Sequence, residues 1–196
     1  MVTKRPVDAG VVIPLRSFAG AKARLATVLD DDRRAAFARA MADRVADAAS
    51  AFPTVVVSSA SEVCAWAAER GLVVVDDPGS LDAAADAGRA WVAAQGYARA
   101  VIVHADLPFA SSLEAVAGGG PAALVIVVAD HRNDGTPVLS VPVDAPFRFA
   151  YGPGSAARHR AEAARLGLAV RTVDDPGLAF DVDVEADLRA LESLRP

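Results

Sequence analysis

VVIPLRSFAGAKARL, residues Val11–Leu25, is a short apolar run stopped at Pro14 that opens into a loop carrying Arg16, Gly20, Lys22 and Arg24. The run is far shorter than the roughly 20 residues of a membrane span, and its β-branched start marks a buried strand. The cations beyond it are spaced by small residues, so backbone and positive charge can approach an anion together. The chain has two lysines, Lys4 and Lys22, and uses arginine elsewhere. A compact ammonium kept at position 22 points to a phosphate-rich ligand.

Apolar, β-branched runs recur at Thr54–Ser58, Leu72–Val75, Ala100–Val103, Leu124–Val128 and Leu168–Val173. Between them, alanine-rich stretches with helical spacing cover Arg33–Ala51, Ser61–Arg70, Leu81–Gln95, Ser111–Val116 and Ser155–Leu166. The alternation predicts an α/β fold with a largely parallel sheet, helices on both faces, and ligands beyond the carboxyl ends of the strands. Pro137–Pro142, PVLSVP, is bounded by prolines, which suits an edge or antiparallel strand better than a central one.

At 196 residues, 53% of them hydrophobic, the chain fits one ordinary domain, 1–196. The net charge of -5 leaves no basic footprint for nucleic acid. The one cysteine, Cys64, cannot form an internal disulfide and reads as a buried residue of the helix EVCAWAAER. No signal pattern or spanning run is present, so a cytoplasmic protein without membrane contact is expected. A homodimer is one assembly the sequence leaves open.

The loops after strands hold the chemistry. Asp106 in VIVHADLPFA comes after the fourth strand, and Pro108 stops that strand from continuing, so the carboxylate falls at its open end. In FDVDVEADL, Asp181 and Asp183 are two residues apart, which on an extended backbone turns both to one side. A hard cation such as Mg²⁺ suits such a grouping; taken alone, Asp183 reads first as the N-cap of a closing helix Val184–Leu194, and the two roles need not exclude each other. In YGPGSAARH, Gly152, Gly154 and Ser155 precede a helix whose N-terminus can hold a phosphate or carboxylate.

Four other patterns are read beside these. Gly152, Gly154 and Ala157 match the dinucleotide pattern GxGxxA, with Asp174 about 20 residues on, but the match falls late and leaves no room for a second nucleotide-binding half. DHRNDGTPV, Asp130–Val138, reads as a turn in which Gly135 permits close backbone approach and Thr136 offers a hydroxyl. His104, His131 and His159 lack metal-ligand spacing, and Asp30–Arg34 reads as a solvated helix start.

In order, IPLRSFAGAKARL, MADRVADA, SLDAAADAG, HADLP, the NDGT turn, YGPGSAARH and FDVDVEADL resemble the 2-phospho-L-lactate and phosphoenolpyruvate guanylyltransferases over nearly the whole chain. The resemblance implies a single-domain, Rossmann-like nucleotidyltransferase fold, similar to that of the molybdenum-cofactor and sugar-phosphate (glycosyltransferase-A-like) enzymes. It is a three-layer sandwich with an antiparallel edge or insert strand. The implied activity moves GMP from GTP to 2-phospho-L-lactate, phosphoenolpyruvate or 3-phosphoglycerate, in the making of the deazaflavin coenzyme F-420. By matching motif, Pro14, Leu15, Arg16, Lys22, Arg24 and Asp82 fall to the nucleotide, with Lys22, Arg24 and Asp106 catalytic. Asp106, Asp181 and Asp183 fall to Mg²⁺, and Thr136, Gly152 and Ser155 to the acid. The chain departs from the family at Arg16, where lysine is usual, at Asp82, where asparagine is usual, and around Asn133 and Pro137. These departures leave open a relative with another donor or acceptor, or a non-catalytic nucleotide-binding homologue.

Overall fold

The first strand, β1 (Ala9–Pro14), lies inside the sheet because both of its faces are apolar: Val11 and Ile13 enter one core cluster and Val12 the other. The computed structural model describes residues 8–118 and 123–193, so Lys4 and the expected helix end at Leu194 lie outside the described residues. The remaining strands are β2 (Thr54–Val57), β3 (Val73–Val75), β4 (Arg99–Val103), β5 (Leu124–Val128), β6 (Val138–Pro142) and β7 (Ala169–Thr172). They form one seven-stranded sheet in the order β3-β2-β1-β4-β6-β5-β7. The pairings β1·β2, β1·β4, β2·β3 and β5·β7 are parallel.

Only β6 runs against the rest, antiparallel to both β4 and β5. It is therefore antiparallel, as its prolines suggested, but it is an interior insert and not an edge. Its pairing with β5 stops at Ser140, so Pro142 forfeits no ladder bond there. The Leu124 carbonyl, which an N–H at position 142 could otherwise reach, instead accepts from the buried Arg99 guanidinium at 2.7 Å. Arg99 also donates to the Ser140 hydroxyl at 3.0 Å. The same reversal removes the dinucleotide reading. Since β6 and β7 point opposite ways, the chain segment between them is not a parallel crossover.

The helices are α1 (Asp31–Ala48), α2 (Ser61–Glu69), α3 (Leu81–Ala94), α4 (Glu114–Ala117), α5 (Ser155–Arg165), α6 (Pro176–Ala179) and α7 (Glu185–Ser193). α1, α2 and α4 bury their apolar residues against one face of the sheet, while α3 and α5 do so against the other, giving three layers. Asp30 N-caps α1, accepting from the Arg33 N–H at 2.8 Å. The short α6 has no counterpart in the sequence reading, though Asp175 caps it and Pro176 opens it. Cys64 is half-buried on α2, less enclosed than expected. Gly88 brings α3 hard onto the sheet: a Cβ there would stand 2.1 Å from Val12 Cγ1.

Candidate active site

The loops after β1 and β4 and the loop before β6 emerge at one edge of the sheet, because β6 enters where its parallel neighbours leave. Lys22, on the loop after β1, joins the loop after β4 to the segment before α7, with Nζ 2.6 Å from Asp106 Oδ2 and 2.9 Å from Asp183 Oδ1. Its backbone is left-handed, φ 54° and ψ 41°, a conformation a lysine adopts at a cost of roughly 1–3 kcal/mol. Burial disfavours the Lys22 charge, yet the two carboxylates outweigh it and raise its pKa. Burial likewise opposes the Asp106 charge, and Lys22 with His104 more than offsets that, holding the carboxyl below its usual range.

Asp181 completes the cluster. Asp106, Asp181 and Asp183 each offer a ligand oxygen, all within 4.8 Å of one another. Asp106 Oδ1 and Asp181 Oδ1 are buried without a hydrogen-bond partner. Burial, together with the neighbouring carboxylates of Asp106, Asp183 and Asp130, pushes the Asp181 pKa up to about 6. Asp181 Oδ1 also lies 3.3 Å from His131 Nδ1 and 3.8 Å from the Arg132 guanidinium, and three carboxylates this close, with Asp106 Oδ1 lacking any partner, fit a hard divalent cation. Asp183 is not the N-cap of the closing helix. Instead Asp187, within α7, reaches back and accepts from the N–H groups of Asp183 and Val184, both at 2.9 Å, freeing the Asp183 carboxylate for Lys22.

A small apolar cluster delivers the two late carboxylates. Val182 and Leu191 pack with Leu25 and Met41, and Phe180 stacks on His131 at 5.0 Å. The Arg132 guanidinium binds Asp187, and His131 N donates to the Ala179 carbonyl at 2.9 Å. Asp130 shapes that loop from inside, accepting from the N–H groups of Arg132, Asp134 and Gly135. Gly135 is required there because a Cβ would meet Asp130 Oδ2 at 2.7 Å.

Beside the cluster lie two adjoining clefts of about 230 and 220 Å³, which share Pro14, Leu15, Arg16 and Leu81. Lys22, His104 and Asp106 line the first. Arg16 is exposed, donates to the Gly79 carbonyl and lies 3.7 Å from Asp77. Arg24 is exposed on a 3-10 turn, and among the described residues it makes no side-chain hydrogen bond or ion pair. Asp82 lines neither cleft; its Oδ1 accepts from the Tyr151 N–H at 2.7 Å.

The sequence model of the guanylyl transferase CofC-like family matches residues 9–192. The chain belongs to this family. Among its relatives, the phosphoenolpyruvate guanylyltransferase of Sphaerobacter thermophilus is 33% identical, the match covering 94% of this chain and 93% of the relative. The 2-phospho-L-lactate guanylyltransferase of Halorubrum lacusprofundi is 36% identical, covering 92% and 82%. Among solved structures, a nucleotidyl transferase from Methanothermobacter superposes with a TM-score of 0.67 at 16% identity, covering 94% of this chain and 96% of that one. That likeness establishes the nucleotidyltransferase fold, with the layers and mostly parallel sheet described above.

In this family member the residues expected to meet the acid gather where the loop before β6 meets the start of α5. Thr136 Oγ1 is 3.1 Å from Ser155 Oγ and 3.1 Å from His159 Nδ1. His159 Nε2 accepts from the Ala150 N–H at 3.0 Å, so Nδ1 carries the ring proton and donates to Thr136. Burial, mainly, lowers the His159 pKa to about 4, which keeps this tautomer at neutral pH. Gly154 N, Ser155 N and Ala156 N all have partners within the protein, so the helix N-terminus is less open than its sequence implied. Asp130, His104, Tyr151 and His159 were not singled out as site residues. Only His104 left a trace in the sequence, two positions before Asp106 and so on the same side of an extended backbone.

Proposed function

We propose that this chain transfers GMP from GTP to a small phosphorylated carboxylic acid and releases pyrophosphate. The observation that carries the reading is the convergence of Lys22, Asp106, Asp181 and Asp183 at the mouth of a cleft, in a chain of this family. The names of the relatives support phosphoenolpyruvate and 2-phospho-L-lactate as acceptors to test, with 3-phosphoglycerate beside them.

The chemistry asks little of the protein beyond alignment and charge. A phosphate monoester is mostly ionised at neutral pH, so its oxygen attacks the α-phosphorus of GTP without a dedicated base. A new O–P bond forms, the bond from the α-phosphorus to the bridging oxygen breaks, and pyrophosphate carries off the electron pair. Asp106, Asp181 and Asp183 are the residues to hold Mg²⁺, which when bound neutralises charge on the nucleotide phosphates. Lys22 and the exposed Arg24 offset charge growing on the leaving pyrophosphate. Pro14, Leu15 and Arg16 form the wall against which the nucleoside lies. Thr136, Gly152 and Ser155 are the residues assigned to the phosphorylated acid. The free thiol of Cys64 fits a cytoplasmic setting.

The departures at Asp82 and Pro137 do not argue for lost chemistry. Asp82 keeps its charge out of the cleft by binding Tyr151, and the Pro137 carbonyl accepts from His104 N at 2.9 Å. The test is pyrophosphate release from each of the four nucleoside triphosphates with each acid in Mg²⁺. Release that requires GTP and one acid supports the reading; no release from any pair rejects it.

A further inference from the structure

Asp187 is a buried carboxylate outside the cation cluster, and both of its oxygens are in use. Oδ2 accepts from the N–H groups of Asp183 and Val184, both at 2.9 Å, and Oδ1 accepts from the Arg132 guanidinium. The first contact is the usual one for an acid in the opening turn of a helix, which reaches back to the helix start. The second is not local, because Arg132 belongs to the loop after β5, 55 positions earlier. A buried carboxylate needs a countercharge, and Asp187 draws it from a loop that also lies against another member of the cluster. The other terminal nitrogen of Arg132 stands 3.8 Å from Asp181 Oδ1. The His131 ring lies between the two acids, with Nδ1 3.3 Å from Asp181 Oδ1 and Nε2 3.4 Å from Asp187 Oδ1.

The loop that supplies these groups is itself braced. Asp130 accepts from the N–H groups of Arg132, Asp134 and Gly135, His131 N donates to the Ala179 carbonyl, and the His131 ring stacks on Phe180. Asp181 and Asp183 arrive on a segment that follows β7, yet the contacts that orient them lead back to the end of β5. From the other side, Lys22 holds the Asp183 carboxylate at 2.9 Å. By charge alone Arg132 opposes a divalent cation at the cluster, so its effect through charge and its effect through position have opposite signs.

We propose that Arg132, acting through Asp187, is a positioning residue for the cation site: it fixes the backbone at Asp183 and the side of Asp181, so that both carboxylates close on one divalent ion with Asp106. The inference rests on the guanylyltransferase reading for the reaction that ion serves, and it adds the residues that set how tightly the ion is held. Partners of this kind, one step removed from the ion, change metal affinity by about 10–100-fold when they are lost.

The experiment measures Mn²⁺ binding by the electron paramagnetic resonance of the free ion, well below the melting temperature of every protein compared. Wild type is set against Arg132→Met, Asp187→Asn and the double variant, with circular dichroism as the check on folding. Arg132→Met should bind Mn²⁺ about tenfold more weakly or worse, although it removes a positive charge from beside the site. The double variant should lose clearly less than the product of the two single losses, since both act through one contact. Should Arg132→Met lack the wild-type circular dichroism, Arg132→Gln, uncharged but still a hydrogen-bond donor, takes its place with the same fall expected. Mn²⁺ bound by the neutral variant as tightly as by wild type, or more tightly, overturns the proposal, because Arg132 would then act through its charge or merely support the helix. A double variant that loses the full product, or a wild type that binds no Mn²⁺, overturns it as well. If Mn²⁺ binding behaves as expected but no nucleotide and acid pair yields pyrophosphate, the guanylyltransferase reading fails and the positioning role stands.

Discussion

Asp106 is the residue on which most of the chemistry turns, since it meets both Lys22 and the cation position. Asp106→Asn should lose most of its turnover in a pyrophosphate-release assay while its circular dichroism stays that of wild type. Wild-type turnover in that variant would remove Asp106 from the machinery. Asp181 gives a pH signature in the cation-free protein. Its pKa is raised from 3.8 to about 6, so the folded form binds the proton more tightly than the unfolded. The stability linked to it is full below the unfolded value and disappears as pH climbs through about 6, an effect of at most about 3 kcal/mol. Denaturant titrations from pH 5 to 8 should show that slope in wild type and a flatter one in Asp181→Asn; equal slopes would refute the assignment. Lys22 and Asp106 were legible in sequence because the loop after a buried strand lies at the open end of the sheet. The role of Asp130 was not, because it accepts from three N–H groups of its own loop, which only the folded turn brings together.

At the scale of elements, the contact of α3 on β1 depends on the missing side chain of Gly88. Gly88→Ala forces a methyl into Val12 and should destabilise the protein by about 1–3 kcal/mol, measured by urea unfolding. Adding Val12→Ala to it should cost less than the two changes sum to separately; strict additivity would show that the helix had simply moved away. The strands and long helices could be read to within a few residues, because buried parallel strands are apolar throughout and the helices carry their own periodicity. The placement of β6 could not. Its prolines describe a strand short of donors, and the compensating donor is Arg99 on another strand, which no local pattern connects to it.

Across the whole molecule, the segment after β7 returns over α1 and the 3-10 turn, and a modest cluster of Leu25, Met41, Val182 and Leu191 holds it there. Leu191→Ala should destabilise that cluster by about 2–5 kcal/mol. We expect the last segment to open before the sheet unfolds, so hydrogen exchange should quicken in α7 while β1 and β4 stay protected. Uniform acceleration across the protein would mean the segment is not a separate unit. The pairing of Asp181 with Asp183 was visible in sequence as an i, i+2 repeat. The distance it had to travel was not, since the apolar residues that dock it are scattered from Leu25 to Leu191.

That docking fixes the order in which the protein becomes competent. Lys22 and Asp183 are 161 positions apart, and every strand of the sheet is translated before the second of them exists. A growing chain can therefore lay down its sheet and form the cleft around Lys22 and Asp106 while still lacking half of its charge constellation. A chain stopped short of Asp181 would hold Lys22 and Asp106 but neither late carboxylate, and those carboxylates act as the pin that completes the site.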